Sequence, residues 1–305
     1  MVRFLFQRVL QIVPTLIGAS IFVFALVYLT GDPVMLLLPP DTPPAQIAKL
    51  RTELGFDAPL LTQYGKFLVG AVSGDLGDSF RFREPALGLV MQRLPATLEL
   101  TIYSVLVAII IGVPLGIIAA VRANSIADKF IRLLFFVFQG IPPFFLGLVL
   151  MVVFSVQLNL LPSAGRGGLH HLVMPVITIA LFLVASIARL TRNGMVRELK
   201  SDYIRTARAK GLDSRVVLYK HALRNTLIPV VTMIGLQFGH LIGGAVVTET
   251  IFAWPGVGRL VVDAVSNRDF PIVQAAMLVI VATFVLINLI VDLSYGLLDP
   301  RIRYT

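Results

Sequence analysis

The segment with the most distinctive residue chemistry begins at Tyr203 and ends at Gly211, and its chemistry is that of recognition rather than catalysis. Tyr203, Ile204 and Ala207 share one face of a predicted helix, while arginines occupy another face. An apolar face flanked by cations is typical of a helix that fills a groove on a partner protein. The segment consists of Tyr203, Ile204, Arg205, Thr206, Ala207, Arg208, Ala209, Lys210 and Gly211.

Cap and turn residues set the limits of this helix. Ser201 or Asp202 can cap its start, and Gly211 can end it in the left-handed conformation. Asp213 or Ser214 can then cap a second helix that leads into the next apolar stretch. The pattern also fits a basic loop that lies on anionic lipid. Both interpretations stay open on composition alone.

The common catalytic and nucleotide-binding motifs are absent. The sequence has no Gly-x-Ser-x-Gly, no His-Glu-x-x-His and no phosphate loop of the form Gly-x-x-x-x-Gly-Lys. It has no cysteine, which excludes disulfides and thiolate chemistry. We therefore predict no catalytic residue, no metal site and no cofactor on this chain. If ATP powers the protein, another chain must bind it.

The composition places these residues in a membrane protein. Of the 305 residues, 57% are hydrophobic and only 14% are charged, whereas soluble domains carry about 25% charged residues. A helix needs about 20 apolar residues to cross the hydrocarbon core. Six stretches without Asp, Glu, Lys or Arg meet that need: Val9–Leu29, Leu100–Val121, Leu133–Leu158, Leu172–Ala188, Leu227–Val247 and Ile272–Val291.

The distribution of charge predicts the orientation of the six spans. With both termini in the cytoplasm, the inner segments carry 17 basic and six acidic residues, and the outer segments carry nine basic and 11 acidic residues. Because Lys and Arg are retained on the cytoplasmic side, this asymmetry predicts an N-in, C-in protein. The basic residues lie in short loops beside apolar stretches, so the net charge of +9 does not require a nucleic-acid partner.

The polar residues inside the spans are uncharged, which argues against an ion-coupled carrier. Such carriers usually need intramembrane carboxylates, arginines or histidines. In the fifth span, glycines at intervals of four residues share one face and permit close helix packing. The residues assigned to a pathway or to helix packing are Gly235, Gln237, Gly239, His240 and Gly243.

The outer segment of residues 30–97 is too long to be a simple connection. Thr42-Pro43-Pro44 and Gly55 delimit a predicted helix, and Ala58–Val72 forms a second amphipathic stretch. This segment either caps the ends of the membrane helices or forms a docking surface for an external partner. The composition favours neither explanation.

Read along its length, the chain resembles the permease subunits of bacterial ABC importers, in the branch that carries dipeptides, oligopeptides, glutathione and nickel. Residues 203–229, YIRTARAKGLDSRVVLYKHALRNTLIP, match the coupling loop of that branch. Of the pattern typical of the wider superfamily, this chain keeps only Ala207, Gly211 and Leu223. The peptide branch departs from that wider pattern in the same way. Further matching stretches are Gly31-Asp32-Pro33, LGFDAPLLTQY (54–64), Gly74-Asp75-Leu76-Gly77, LPATLEL (94–100), ETIFAWPGVGRL (249–260), Arg268-Asp269-Phe270-Pro271 and Asp299-Pro300-Arg301-Ile302-Arg303.

The resemblance implies an all-α polytopic protein with the type I ABC importer permease fold. Residues 1–29 would hold the first span, 30–97 a helical periplasmic segment, and 98–305 a five-helix core. Within that core, 189–224 would form the cytoplasmic coupling loop, in which all nine residues of 203–211 would make the contact with an ATPase. Residues 248–271 would form a periplasmic gate. The gate or docking residues would be Glu249, Phe252, Trp254, Pro255, Gly256 and Asp269.

The resemblance also implies an assembly in the bacterial inner membrane. A second homologous permease would complete a heterodimeric pore, two cytoplasmic ABC ATPases would bind ATP and Mg, and a periplasmic binding protein would deliver the substrate. Surrounding lipids would be further partners, and nucleic acid would not. The substrate would be a di- or oligopeptide, with glutathione or a nickel complex as the alternative. An ATP-independent carrier or a membrane scaffold is the competing class.

Overall fold

The computed structural model describes residues 2–29, 34, 35, 38, 42–53 and 55–298. It describes their side chains except those of residues 2–9, 28, 240, 242–244, 292 and 294–298. Two of the predicted site residues, His240 and Gly243, are thus described in their backbone only. The matched stretches at 31–33 and 299–303 lie outside the described residues.

Helices make up nearly all of the described chain. The chain begins with α1 (Val2–Leu29), α2 (Pro44–Glu53) and α3 (Leu60–Ser73). They are followed by α4 (Ala86–Val121), α5 (Ile126–Gly140), α6 (Pro143–Leu150), α7 (Leu169–Glu198), α8 (Asp202–Ala209), α9 (Arg224–Ile251), α10 (Val257–Ser266) and α11 (Phe270–Leu298). Residues Met151–Gln157 and Val216–Leu223 are π-helical.

Most of the predicted spans are found as long apolar helices. Within the part of the chain that the structure describes, α1, α4, α7 and α11 are long and apolar enough to cross a bilayer. The pair Ile126–Gly140 and Pro143–Gln157 can make a fifth span. The remaining predicted span, Leu227–Val247, lies within α9, which has 28 residues. The total of six crossings therefore stays a prediction.

The third predicted span is broken by prolines. Helix α5 ends at Gly140, Ile141 leaves the helical conformation, and Pro143 begins α6. Proline lacks the amide proton that would continue the helical hydrogen bonds, so it is accommodated at the first position of a new helix. The two helices are bent by 97° relative to each other. The two prolines thus divide the predicted span Leu133–Leu158 into two helices.

The chain divides into two compact units. Among the described residues, the first comprises those within 1–95 and 256–285. In this unit, α1 packs against α3 through the Ser20 and Tyr64 hydroxyls, 2.9 Å apart. A separate apolar core joins α10 to the starts of α4 and α11. Its buried members are Ala86, Val90, Val257, Leu260, Ala264, Ile272, Ala275 and Ala276.

The second unit comprises 96–255 and 286–303, with α7 at its centre. Helices α5, α6 and α9 all pack against α7, and more than half of its apolar segment is buried. The approach of α4 to α7 is especially close at Gly116, where an added Cβ would lie 2.6 Å from the carbonyl oxygen of Ala188. Such contacts between helices depend on small residues, because lipid gives no hydrophobic drive for the helices to associate.

Candidate functional site: coupling surface and outer gate

The predicted recognition helix forms between the expected residues. Helix α8 runs from Asp202 to Ala209 with Ser201 at its N-cap position. Gly211 has φ +76°, a left-handed conformation that costs other residues about 1–2 kcal/mol. Asp213 begins the next turn, since its Oδ1 accepts the backbone amide of Arg215 at 2.7 Å. The expected helix and its glycine stop are confirmed.

The apolar face of α8 is covered by the protein itself. Ile204 is fully buried and Ala207 is almost so, and both join a core cluster that includes Met195, Val217 and Ala222. We expected these two side chains to contact a partner. That expectation is wrong for Ile204 and Ala207, because they fasten α8 to the ends of the adjacent helices.

The outward face of this region is mixed in character. The residues of the predicted contact that remain exposed are Tyr203, Arg205, Thr206, Arg208, Ala209, Lys210 and Gly211. Three apolar residues that sequence analysis did not select are also exposed: Leu212 (41%), Val216 (38%) and Tyr219 (56%). We call these ten residues together the coupling surface. Its three additional apolar residues lie after Gly211. Basic and turn residues are interspersed among them, so the sequence shows no clear apolar periodicity there.

Tyr203 connects the coupling surface to two long helices. Its hydroxyl donates a hydrogen bond to Oε2 of Glu198 at 2.6 Å, and Nδ2 of Asn225 donates to the same hydroxyl at 3.0 Å. Glu198 is the last residue of α7, and Asn225 is the second residue of α9. Burial and the hydrogen bond to Glu198 raise the pKa of Tyr203, so the phenol remains a donor. Tyr203 therefore connects α8 to both helices through its hydroxyl.

A buried ion pair stabilises the same end of α7. Asp128 is fully buried, and its two carboxylate oxygens accept hydrogen bonds from Arg192 at 2.6 and 2.7 Å. The Asp128 carboxylate also accepts the backbone amide of Asn124 at 2.9 Å. Sequence analysis treated both residues only as loop charges, because 64 residues separate them. The pair holds α5 against α7.

In the first unit, Asp269 fastens the outer segment to the connection between α10 and α11. The carboxylate is almost fully buried and accepts a hydrogen bond from the Ser79 hydroxyl at 2.5 Å. The backbone amides of Phe80 and Arg81 donate to it at 3.2 and 3.3 Å. We call this arrangement the Asp269 latch. A buried carboxylate with three donors is well satisfied and holds its loop in one geometry.

In the second unit, the other predicted gate residues are packed inside the chain. Glu249 is buried and accepts a hydrogen bond from Thr97 at 2.6 Å. Trp254 is buried and donates through Nε1 to the carbonyl of Ala96 at 2.9 Å. Phe252 is also buried, and its carbonyl accepts the amide of Gly165 at 2.8 Å. These contacts hold the end of α9 and the residues that follow it against the rest of the second unit. None of the three offers a surface in this arrangement.

The two remaining gate residues are also largely covered by the protein: Pro255 is half-buried and Gly256 is buried.

Among the predicted pathway or packing residues, Gly235 is buried, and a Cβ there would lie 2.6 Å from Val291. Gln237 and Gly239 are half-buried. Within the described residues, no group of three or more His, Asp or Glu could hold a metal ion.

Comparison with known proteins identifies the family. Residues 112–304 match the family model described as the binding-protein-dependent transport system inner membrane component, and residues 1–101 match the model of its N-terminal part. The chain is 44% identical to the glutathione transport system permease protein GsiC of Escherichia coli O6:H1. It is 41% identical to the dipeptide transport system permease protein DppB of Alkalihalophilus pseudofirmus. Both matches cover all of each chain.

Solved structures confirm the fold. Two inward-facing structures of the MetNI methionine ABC transporter match with TM-scores of 0.58 and 0.59, at 19% and 20% identity. In each case the match covers 71% of this chain and 99% of the other. The chain therefore has the all-helical permease fold of type I ABC importers, and it belongs to the family of binding-protein-dependent transport system inner membrane components.

Proposed function

We propose that this importer subunit translocates short peptides from the periplasm to the cytoplasm by alternating access. The observation that carries this substrate class is the full-length identity to a dipeptide permease and to a permease for glutathione, itself a tripeptide. The alternatives to di- and oligopeptides within the same importer class are glutathione and a nickel complex. Glutathione is the favoured alternative to dipeptides because GsiC shares 44% of the residues.

The uncharged apolar stretches support a pathway that releases peptides of varied side chains. The six stretches contain no Asp, Glu, Lys or Arg. Fixed charges in a low-dielectric passage would bind some peptides strongly and exclude others. Polar groups such as the half-buried Gln237 can hydrogen-bond to peptide groups without selecting for charge. Selectivity would then reside mainly in an external binding protein.

The coupling surface is the proposed contact with a cytoplasmic ATPase. Its exposed arginines and Lys210 complement an acidic rim, and Leu212, Val216 and Tyr219 supply apolar contact area. Closure of two ATPases on ATP and Mg would displace α8, and Tyr203 would transmit that displacement to α7 and α9. ATP hydrolysis would belong to the partners, because this chain carries no nucleotide-binding motif.

The full assembly completes the proposal. A second homologous permease would form the other half of a heterodimeric pore, and a periplasmic binding protein would dock on the outer segment and gate. Six crossings with both termini inside would place the coupling surface in the cytoplasm, as the positive charge of the 189–224 loop favours. The Asp269 latch would hold the outer segment to the gate connection during docking.

Reconstitution of the purified complex into proteoliposomes tests this function. ATPase activity and uptake are measured with dipeptides, tripeptides, glutathione and a chelated nickel complex, each with its binding protein. We expect ATP-dependent uptake of the peptides or of glutathione. Uptake that persists without ATPase subunits would instead identify a secondary carrier. A chain that purifies without ATPases and transports none of these ligands would identify a scaffold.

A further inference from the structure

The first unit contains an apolar cavity of about 450 Å³ that has no role in the mechanism above. Its walls come from the last turns of α1, from the end of α10 and from the first turns of α11. Val23, Val27, Ala264, Val273 and Met277 supply apolar surface. Small-molecule sites have volumes of roughly 300–1,000 Å³. The cavity is therefore large enough for a ligand.

The cavity lies beside the last turns of an apolar helix that is long enough to span a membrane. Helix α1 ends at Leu29, and its apolar side chains Ile17, Ile21 and Phe22 are 44%, 51% and 58% exposed. Exposed apolar side chains on a spanning helix belong in contact with hydrocarbon. Val265 lines the cavity and is 59% exposed, so the cavity can be reached from outside the chain.

One cationic residue lines this cavity, and another lines a neighbouring cavity. Arg268 lines the first of these and is exposed. A second cavity of about 200 Å³ shares Val27, Phe270 and Gln274 with the first, and its lining includes Lys66. A cavity lined by apolar side chains and one arginine thus lies beside a second cavity that is lined in part by a lysine. This combination complements a molecule with a long apolar tail and an anionic head.

We propose that the cavity is a binding site for an anionic phospholipid of the outer leaflet, with one acyl chain inside it and the phosphate beside Arg268. A protein helix suits the space less well. A helix is about 10–12 Å wide, so 450 Å³ holds only about one turn. An acyl chain is narrower and flexible, and it needs no hydrogen-bond partners in an apolar cavity. The site does not depend on the identity of the transported substrate.

Occupancy of the cavity stabilises the contact of α10 and α11 with α1. A ligand that binds only the folded arrangement stabilises it by mass action. The Asp269 latch lies next to Arg268 in the chain, so the lipid and the latch fix the same connection. Anionic lipid in the membrane would therefore favour the gate geometry described above.

Photolabelling of the whole complex tests the site. The complex is reconstituted in phosphatidylcholine bilayers that contain a minor fraction of a phosphatidylglycerol with a diazirine in one acyl chain. Peptide mapping then locates the label. We expect labelling of the 264–277 segment and of the end of α1. Competition by unlabelled phosphatidylglycerol should remove the label, whereas inorganic phosphate should not.

Two variants test separately the contact with the lipid phosphate and the binding of the acyl chain. Arg268→Gln removes the cation and should reduce labelling about fivefold, the effect of one basic residue near a membrane surface. Met277→Trp fills the cavity and should abolish labelling. If Met277→Trp does not assemble, Val265→Trp at the exposed rim replaces it. Arg93→Gln is the matched control, because Arg93 is exposed and lines neither cavity. It should label as the unaltered chain does.

Three outcomes would overturn the proposal. The first is labelling elsewhere on the chain with none in the cavity. The second is cavity labelling that neither Arg268→Gln nor the tryptophan variants reduce. The third is a crosslink from the cavity to a segment of a partner permease, which would show that a protein occupies it.

Discussion

The hydroxyl of Tyr203 donates a hydrogen bond to the carboxylate of Glu198 at 2.6 Å, which joins α8 to the last residue of α7. The same hydroxyl accepts a hydrogen bond from Asn225 near the start of α9. One side chain therefore contacts both helices that lead from the coupling surface towards the membrane. If an ATPase displaces α8, these hydrogen bonds would pass the movement to α7 and α9. Without them, α8 would move independently of the two helices.

Replacement of Tyr203 by Phe should uncouple transport from ATP hydrolysis. The change removes a hydrogen bond to a charged group, worth about 1.5–3 kcal/mol, and keeps the ring. The measurement is the amount of substrate imported per ATP hydrolysed, and we expect a loss of about tenfold, which corresponds to the low end of that range. Tyr103→Phe on α4 is the control, because Tyr103 is also exposed and lies outside the coupling surface. An unchanged ratio in Tyr203→Phe would contradict the proposal that Tyr203 transmits the displacement of α8 to α7 and α9.

Replacement of Gly211 by Val should also lower the amount of substrate imported per ATP hydrolysed, because valine disfavours the backbone conformation of this residue. Gly211 has φ +76° and open space around its Cα, so the penalty comes from conformation and not from a clash. That penalty is about 1–2 kcal/mol. Gly165→Val is the matched control, because Gly165 has φ +89° and equally open space. ATPase assembly and uptake are measured together, and equal losses in both variants would mean general strain.

Replacement of Asp128 by Asn should destabilise the fold and leave Arg192 buried without its carboxylate. Breaking one partner of a buried ion pair costs about 3–5 kcal/mol. The measurement is thermal unfolding of the detergent-solubilised complex. Asp202→Asn is the control, because the pair of Asp202 and Arg205 is 93% and 78% exposed and such pairs contribute about 0–1 kcal/mol. If the two variants unfold at the same temperature, Asp128 is not a structural anchor.

Replacement of Asp269 by Asn should loosen the outer segment. The amide keeps the shape but accepts hydrogen bonds more weakly than a carboxylate. We expect weaker stimulation of ATPase activity by the binding protein, with basal activity unchanged, and faster hydrogen exchange at Phe80 and Arg81. The control is Asp263→Asn on the exposed face of α10. Exchange rates that stay the same in Asp269→Asn would show that the latch does not order this loop.

Local features of the fold were predictable because their causes are local. Apolar stretches of spanning length, the break at Pro142-Pro143 and the positive φ of Gly211 each depend on a few neighbouring residues. The partners of the buried charges were not predictable in this way. Ser79 and Asp269 are separated by 190 residues, and no periodicity relates them.

The sequence by itself determined where helices form and which residues share a face, since backbone groups in lipid must be satisfied within each segment. Only the tertiary structure decided what covers each face. Ile204 and Ala207 form an apolar face in either case, but packing against Met195, Val217 and Ala222 turns that face inward. The face left for a partner is thus the one that the protein's own core does not use.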